Sequence, residues 1–97
     1  MEQLFVYGSL KKPIIQRSVF GRITKSFPDI LQDFTRSKIM IEKIHPIILP
    51  RKGKFVRGLV FSVSFRELRL IDEYETNLYK RRRVVLRSGL SAWVYTG

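Results

Sequence analysis

The sequence predicts a small α+β domain: a twisted, mostly antiparallel sheet or partial barrel with one or two short helices packed on it. Three observations support this fold class. The chain has 97 residues, enough for one modest hydrophobic core and too few for two. Most of its patterned segments resemble strands, and only two segments carry signals for the start of a helix. We therefore expect residues 1–97 to form a single domain.

The N-terminal third contributes the first strand and the first helix. Residues 3–7 are rich in aromatic and β-branched side chains, which favours a strand, and the Gly-Ser pair that follows predicts a turn. Pro13 suits the first position of a helix, so residues 13–20, "PIIQRSVF", are expected to form two helical turns. Residues 22–35 are weakly patterned, and no element is predicted there.

The Gly8-Ser9 turn has two interpretations. It is either an ordinary tight turn or half of a small anion-binding site. The second follows because a strand that ends in such a turn, just before the start of a helix, leaves consecutive backbone N–H groups free to bind an anion.

The middle of the chain is predicted to be mostly strand. Residues 36–44 place isoleucines along a probable strand, and "HPIILP", 45–50, predicts a short edge strand between two prolines. The basic residues 51–54 are predicted to form a turn. Residues 55–63, "FVRGLVFSV", give the clearest strand pattern in the chain. Gly58 inside it indicates a bulge or a close backbone approach.

A helix and a hairpin complete the predicted fold. Ser64 and Glu67 have the spacing of a capping box, in which each side chain accepts a hydrogen bond from the other residue's backbone. This predicts a helix over 64–75. Residues 82–87 and 91–95 flank a Ser-Gly turn and are expected to pair as a closing hairpin.

One carboxylate of that helix falls on the side expected to be buried. Leu68 and Ile71 define the core-facing stripe, and Glu75 projects from the same stripe, whereas Glu73 faces solvent. Desolvating a carboxylate costs several kcal/mol unless it is paired. Either Glu75 reaches solvent past the last turn, or it pairs with a residue such as Arg81, or it lines a cavity where a raised pKa suits it to proton transfer.

Composition excludes several classes of chemistry and leaves one charge anomaly. The chain has no cysteine and a single histidine, so disulfides and cysteine nucleophiles are excluded, and we predict no metal and no cofactor. No apolar stretch approaches the length of a membrane span, and the lack of cysteine fits a reducing, cytoplasmic location. The formal charge is nevertheless +11, from 19 basic and 8 acidic residues. The basic residues cluster at Arg51, Lys52, Lys54 and Arg57, and again at 80–83.

Four stretches, "LFVYGSL", "GKFVRGLVFSV", "LIDEYETNLYKRR" and "AWVY", resemble in order and spacing the γ-glutamylcyclotransferase-like family, also called the AIG2-like family. The resemblance implies a small mixed α/β domain and a cavity that holds the γ-glutamyl group. It implies that the loop of Tyr7, Gly8, Ser9 and Leu10 lines this cavity. Further residues matching family positions are Glu75 as the general acid/base and Tyr79, Arg81 and Tyr95 as substrate-binding residues. The chain departs from the family in having Thr76 where glycine is frequent, and in its basicity.

The activity implied by the resemblance is release of 5-oxoproline from a small-molecule γ-glutamyl substrate, without metal or cofactor. Two alternatives remain open. Clustered positive charge favours a nucleic-acid-binding module, whose binding would be electrostatic and independent of base sequence. A non-catalytic, metabolite-binding member of the same fold is the other alternative, because a fold does not by itself establish a reaction.

Overall fold

The structure is a computed structural model that describes residues 1–41, 45–76 and 79–96, with side chains described for all of these except 38–41, 45 and 46. It contains five strands, two α-helices and one 3₁₀ turn. In chain order these are β1 (Glu2–Val6), the 3₁₀ turn (Ser9–Lys11), α1 (Pro13–Phe20), β2 (Ser26–Ile41), β3 (His45–Val63), α2 (Phe65–Glu75), β4 (Lys80–Val85) and β5 (Ser91–Thr96).

The strands form one sheet in the order β2-β3-β1-β5-β4. Every pairing is antiparallel except β1 with β5, which is parallel. The sheet is curled, and the curl brings the turn between β4 and β5 into contact with β2, the opposite edge strand. There the Arg87 N–H donates to the Ile30 carbonyl at 2.9 Å, and the Ser88 hydroxyl donates to Asp29 at 2.6 Å. The predicted α+β class with a partial barrel is confirmed, and the sheet is mixed.

Two apolar cores lie on the two faces of the curled sheet. The alternation of a strand sends successive side chains to opposite faces, so Phe5 and Tyr7 of β1 join the core inside the curl, together with Leu31 and Val56. Leu4 and Val6 join the second core. That second core lies beneath the helices and also contains Phe61, Leu68 and Ile71.

Both helices form where the sequence predicts them. α2 begins after Ser64, whose hydroxyl accepts from the Glu67 N–H at 3.1 Å, while the Glu67 carboxylate accepts from the Ser64 N–H at 2.8 Å. The predicted capping box is therefore confirmed, and Leu68 and Ile71 are fully buried as the stripe requires. Neither helix among the described residues is long and apolar enough to cross a membrane.

The sheet corrects the sequence prediction in its long β2–β3 arm. Residues 22–35 give no strand pattern, yet β2 begins at Ser26, and "HPIILP" is the start of the 19-residue β3 rather than a separate short strand. The predicted turn at 51–54 is wrong, since these residues lie within β3 opposite Asp33 as an irregularity of the pairing. Residues 42–44 of the predicted 36–44 strand lie outside the described residues.

Backbone conformation explains how the irregularity is accommodated. Gly53 and Asp33 both have positive φ, 84° and 64°, and the Asp33 carboxylate accepts a hydrogen bond from the Gly53 N–H at 3.0 Å. Glycine and aspartate are among the residues that tolerate this region best. The same glycine that suggests a turn in the sequence therefore serves a bulge in the structure.

Candidate active site

Glu75 occupies the end of α2, where the helix leaves the core. It is half-buried, and burial raises the pKa of its carboxyl from the ordinary 4.5 to about 7, with the negative charge of Asp72 as a second cause. Within the described part of the chain, Glu75 has neither a hydrogen bond nor an ion pair. The alternative in which Arg81 neutralises Glu75 is therefore wrong, because Arg81 pairs with a different carboxylate.

That carboxylate is Asp72, one helical turn before Glu75. Arg81 donates to its two oxygens through Nε at 2.9 Å and Nη2 at 3.1 Å, and the Tyr95 hydroxyl donates to the same side chain at 2.6 Å. The Arg81 guanidinium also stacks 4.4 Å from the centre of the Trp93 ring. The hydrogen bonds from Arg81 and Tyr95 fix the position of the Asp72 carboxylate near Glu75.

Tyr7 connects the N-terminal loop to the same region. Its ring is buried, its hydroxyl donates to the Tyr95 carbonyl at 2.7 Å, and its own carbonyl accepts a hydrogen bond from Arg36. Burial raises the Tyr7 pKa above its ordinary range, and the nearby Tyr79 and Glu75 raise it further. Tyr7 and Glu75, which are distant in sequence, are thus close enough to interact electrostatically.

Tyr79 and Tyr95 complete the aromatic surroundings of Glu75. Burial, followed by the charge of Glu75, raises the pKa of Tyr79 to about 12. Burial and the hydrogen bond to Asp72 raise that of Tyr95 beyond its ordinary range. Both hydroxyls stay protonated at neutral pH, and the Tyr95 proton is donated to Asp72.

The loop after β1 is built by short local hydrogen bonds. The Lys11 N–H donates to the Gly8 carbonyl, and the Lys12 N–H to the Ser9 carbonyl, while buried Gln16 donates from Nε2 to the Leu10 carbonyl at 2.9 Å. The N–H groups of Gly8, Ser9 and Leu10 have no partner among the described residues. Free donors are what the anion-site interpretation requires, and binding of an anion there stays a prediction.

A depression of about 650 Å³ opens beside the Asp72 network. Its walls include Tyr79, Arg81 and Tyr95, three of the residues predicted to bind substrate, whereas Glu75 and the Tyr7–Leu10 loop are not among the residues that line it. The volume lies in the range typical of small-molecule sites. Among the described residues no group of His, Asp or Glu side chains is arranged as a metal site would require.

Sequence reasoning missed several residues that support this region. Asp72 could have been found, because a residue three positions before Glu75 on a helix lies beside it. Tyr74, whose hydroxyl bonds the Ser9 hydroxyl at 2.6 Å, lies on the same helix but gives no polar signal. Arg36, which contacts Tyr7, is the first residue of the predicted 36–44 strand, and no local pattern marks it as a partner of Tyr7.

Comparison with known proteins identifies the family of the chain. A family model described as gamma-glutamyl cyclotransferase, AIG2-like, matches residues 4–97. The chain belongs to this family. AIG2-like protein D of Arabidopsis thaliana is 36% identical over 85 residues, covering 87% of this chain and 55% of that protein. AIG2-like protein C of the same plant is 33% identical over 82 residues, covering 84% and 47% respectively. The chain thus spans about half the length of these two family members.

Solved structures of similar proteins share the fold. A solution structure of another Arabidopsis thaliana protein matches with a TM-score of 0.86 at 27% identity, over 98% of this chain and 61% of that one. A gamma-glutamyl cyclotransferase structure matches with a TM-score of 0.74 at 20% identity, over 98% and 65%. At that identity the second comparison concerns the fold alone.

Proposed function

We propose that the chain is a γ-glutamylcyclotransferase-type enzyme that releases 5-oxoproline from a γ-glutamyl amine or peptide. The proposal includes the small-molecule γ-glutamyl substrate and the cytoplasmic location expected from composition. Family membership supports the general type of reaction. The observation that carries the proposal for this chain is Glu75, a half-buried carboxylate that has no cationic partner among the residues that the structure describes.

The environment of Glu75 suits it to moving protons in both directions. A pKa of about 7 means that the carboxyl is partly ionised at neutral pH. General acid–base catalysis is most effective when the pKa of the catalytic group is near the working pH. A salt bridge to Arg81 would have held the carboxylate ionised, so the pairing of Arg81 with Asp72 favours this role.

The proposed reaction is an intramolecular aminolysis. Glu75 accepts a proton from the substrate's α-ammonium group, and the freed amine attacks the γ-carbonyl carbon. A new C–N bond closes the five-membered ring while the carbonyl oxygen takes up negative charge. The intermediate then collapses, and the bond to the leaving amine breaks as Glu75 returns its proton to that nitrogen. The ring nitrogen gives up its second proton to the departing amine, which leaves as an ammonium ion. Atoms and charges balance without any other reactant.

The remaining predicted residues would bind rather than react. Free N–H groups at Gly8, Ser9 and Leu10 can stabilise the developing oxyanion or hold the substrate's carboxylate. Tyr79 lines the depression with its hydroxyl protonated at neutral pH. The Tyr95 hydroxyl oxygen can accept a hydrogen bond, because its proton is donated to Asp72. Arg81 is a less direct candidate, since its guanidinium already binds Asp72.

The test is release of 5-oxoproline from a panel of γ-glutamyl amines and dipeptides by wild-type protein and by Glu75→Gln. This variant keeps the shape of the side chain and removes the titrating group, so we expect activity to fall at least about 100-fold. Asp33→Asn is the matched control, because it removes one exposed carboxylate in the β2–β3 arm and keeps the acceptor for Gly53.

Full turnover by Glu75→Gln would contradict the mechanism. Absence of turnover by the wild-type chain on the whole panel, with a folded protein by circular dichroism, would contradict the enzymatic proposal and favour the metabolite-binding alternative.

A further inference from the structure

Most of the positive charge of the chain has no role in the proposed reaction, and part of it lies beside an exposed aromatic ring. Five exposed basic residues belong to β3 or to the turn between β4 and β5. They are Arg51, Lys52, Lys54, Arg57 and Arg87, and we call them the basic patch. Within the described part of the chain, none of the five forms a salt bridge.

An aromatic ring lies within the basic patch. Phe55 is 48% exposed, although burying a phenylalanine is worth roughly 1.5–3 kcal/mol. Two guanidinium groups lie against this ring, that of Arg57 at 5.5 Å and that of Arg87 at 5.9 Å from its centre. The fold itself brings these two arginines together, because the Arg87 N–H is bound to Ile30, the residue opposite Arg57 in the sheet.

A depression of about 330 Å³ lies between the two arginines. Asp29 contributes a carboxylate to its wall. That carboxylate accepts from the Ser88 hydroxyl at 2.6 Å and from the Ile30 N–H at 2.8 Å. Among the described residues, neither arginine forms a salt bridge with it. The depression therefore offers two guanidinium groups to an anion, next to an exposed aromatic face.

We propose that the basic patch binds single-stranded nucleic acid without preference for base sequence. Guanidinium groups bind phosphate oxygens, and a base can stack on an exposed aromatic side chain, which together form the usual surface for single strands. A double helix keeps its bases stacked inside and cannot use Phe55 in this way. No motif for reading base edges is present in the sequence, so sequence preference is not expected.

The proposal uses residues distinct from those of the candidate active site. It stands or falls independently of the cyclotransferase activity, because none of the five basic residues is predicted to contact a γ-glutamyl substrate.

The experiment measures fluorescence anisotropy of a labelled oligo-dT of about 20 nucleotides, longer than a typical site for a single domain, over a range of salt concentrations. We expect Arg57→Gln/Arg87→Gln to weaken binding about tenfold or more, and to lower the slope of log K against log salt by about 1.4, the value for two lost phosphate contacts on a single strand.

Two further variants separate the site from net charge. Arg66→Gln/Arg69→Gln removes the same charge from exposed positions on α2, and should change affinity less than about threefold. Phe55→Ala retains every charge and should weaken binding about fivefold or more, with the salt slope unchanged. Circular dichroism of each variant confirms that the fold is retained.

Several results would overturn the proposal. One is equal loss in the two double variants, which would indicate general attraction by a basic protein. Another is an unaltered affinity for oligo-dT in Phe55→Ala, together with equally tight binding of heparin or phosphatidylserine vesicles. A third is absence of oligo-dT binding by the wild-type chain at physiological salt.

Discussion

Glu75 at the end of α2 and the five residues of the basic patch form no salt bridge among the described residues, and the surroundings of the two regions differ. Glu75 is half-buried, and its environment raises its pKa to about 7. Arg57 and Arg87 are exposed, so water and salt solvate their charges. In the first region the protein disfavours the charged form, whereas in the second it leaves the charge fully formed.

Because of this difference, the charge of each region should respond to a different property of the solution. A buried acid responds to pH, because desolvation is relieved by taking up a proton. An exposed cluster of cations responds to ionic strength, because salt screens it over about 10 Å at 0.1 M. The α2 end is thus arranged for proton transfer and the patch for polyanion attraction, and the two should be separable by experiment.

We expect the largest effect on stability from a substitution at Gly58, where β3 packs closely against β1. A Cβ at Gly58 would lie 2.4 Å from the Val6 carbonyl oxygen and 2.6 Å from the Phe5 ring. Gly58 also lines the depression between the two arginines of the patch. On the other side of this contact, β1 leads directly into Tyr7 and the loop of the candidate active site.

We expect Gly58→Ala to lower the free energy of unfolding by about 3 kcal/mol or more, because backbone on a neighbouring strand cannot move aside as a flexible side chain can. Urea unfolding followed by the fluorescence of Trp93, the single tryptophan, measures the loss. Arg57→Ala, at the adjacent exposed position, should cost less than about 0.5 kcal/mol. Equal stabilities of the two variants would show that β1 and β3 are not held this closely.

The second prediction concerns the dependence of the free energy of unfolding on pH. The Glu75 pKa is higher in the folded state, so the folded protein binds more protons than the unfolded chain between about pH 4.5 and 7. Stability should therefore fall as pH rises through this window. Since one pKa unit corresponds to about 1.4 kcal/mol, the loss from Glu75 amounts to at most about 3.5 kcal/mol.

Glu75→Gln should remove this pH dependence. The variant should gain stability relative to wild type as pH is raised from 4 to 8, and the readout is the change in the difference, not its value at one pH. Urea unfolding of both proteins across the range provides it. A difference that stays constant with pH would show that Glu75 is not desolvated in the folded state.

The two regions also differ in how far the sequence predicts them. Glu75 follows from periodicity, since Leu68 and Ile71 fix the buried face of α2, and the capping box at Ser64 fixes where the helix begins. Its partners depend on tertiary contacts. Nothing near Asp72 in sequence indicates that Arg81 and Tyr95 will bind it, so the pairing of Arg81 with Glu75 was an equally reasonable prediction and proved wrong.

The β2–β3 arm was predicted least well, for a physical reason. The first half of β2 has apolar residues but no period-2 pattern, because Phe27 is exposed and Leu31 is buried on the same alternation, and period-2 patterning needs one buried face. The basic segment 51–54 contains a glycine and has the composition of a turn, yet the pairing of Pro50 and Phe55 on either side keeps it within β3. The basic patch therefore appears in the sequence only as charge, and the contribution of Arg87 appears only when the sheet curls.

The last prediction concerns the pKa of Glu75 and its dependence on Asp72, which connects the end of α2 to Arg81 of β4. Asp72 raises the pKa of Glu75 after burial does, and it also occupies the Arg81 guanidinium. Asp72→Asn removes a negative charge from the neighbourhood of Glu75 and leaves the Arg81 charge uncompensated. Both changes favour ionised Glu75, so we expect its pKa to fall by about half a unit to one unit.

Carboxyl chemical shifts of Glu75, followed by NMR during a pH titration, measure that pKa whether or not a substrate is known. If a γ-glutamyl substrate is found, the acid limb of the kcat/KM profile should move to lower pH by the same amount. Glu73→Gln is the matched comparison, because it removes the same charge from the adjacent, exposed position of α2 and should leave the Glu75 titration in place. An unchanged or higher Glu75 pKa in Asp72→Asn would mean that burial alone sets it. The Arg81–Asp72–Tyr95 network would then hold the structure together without tuning the acid.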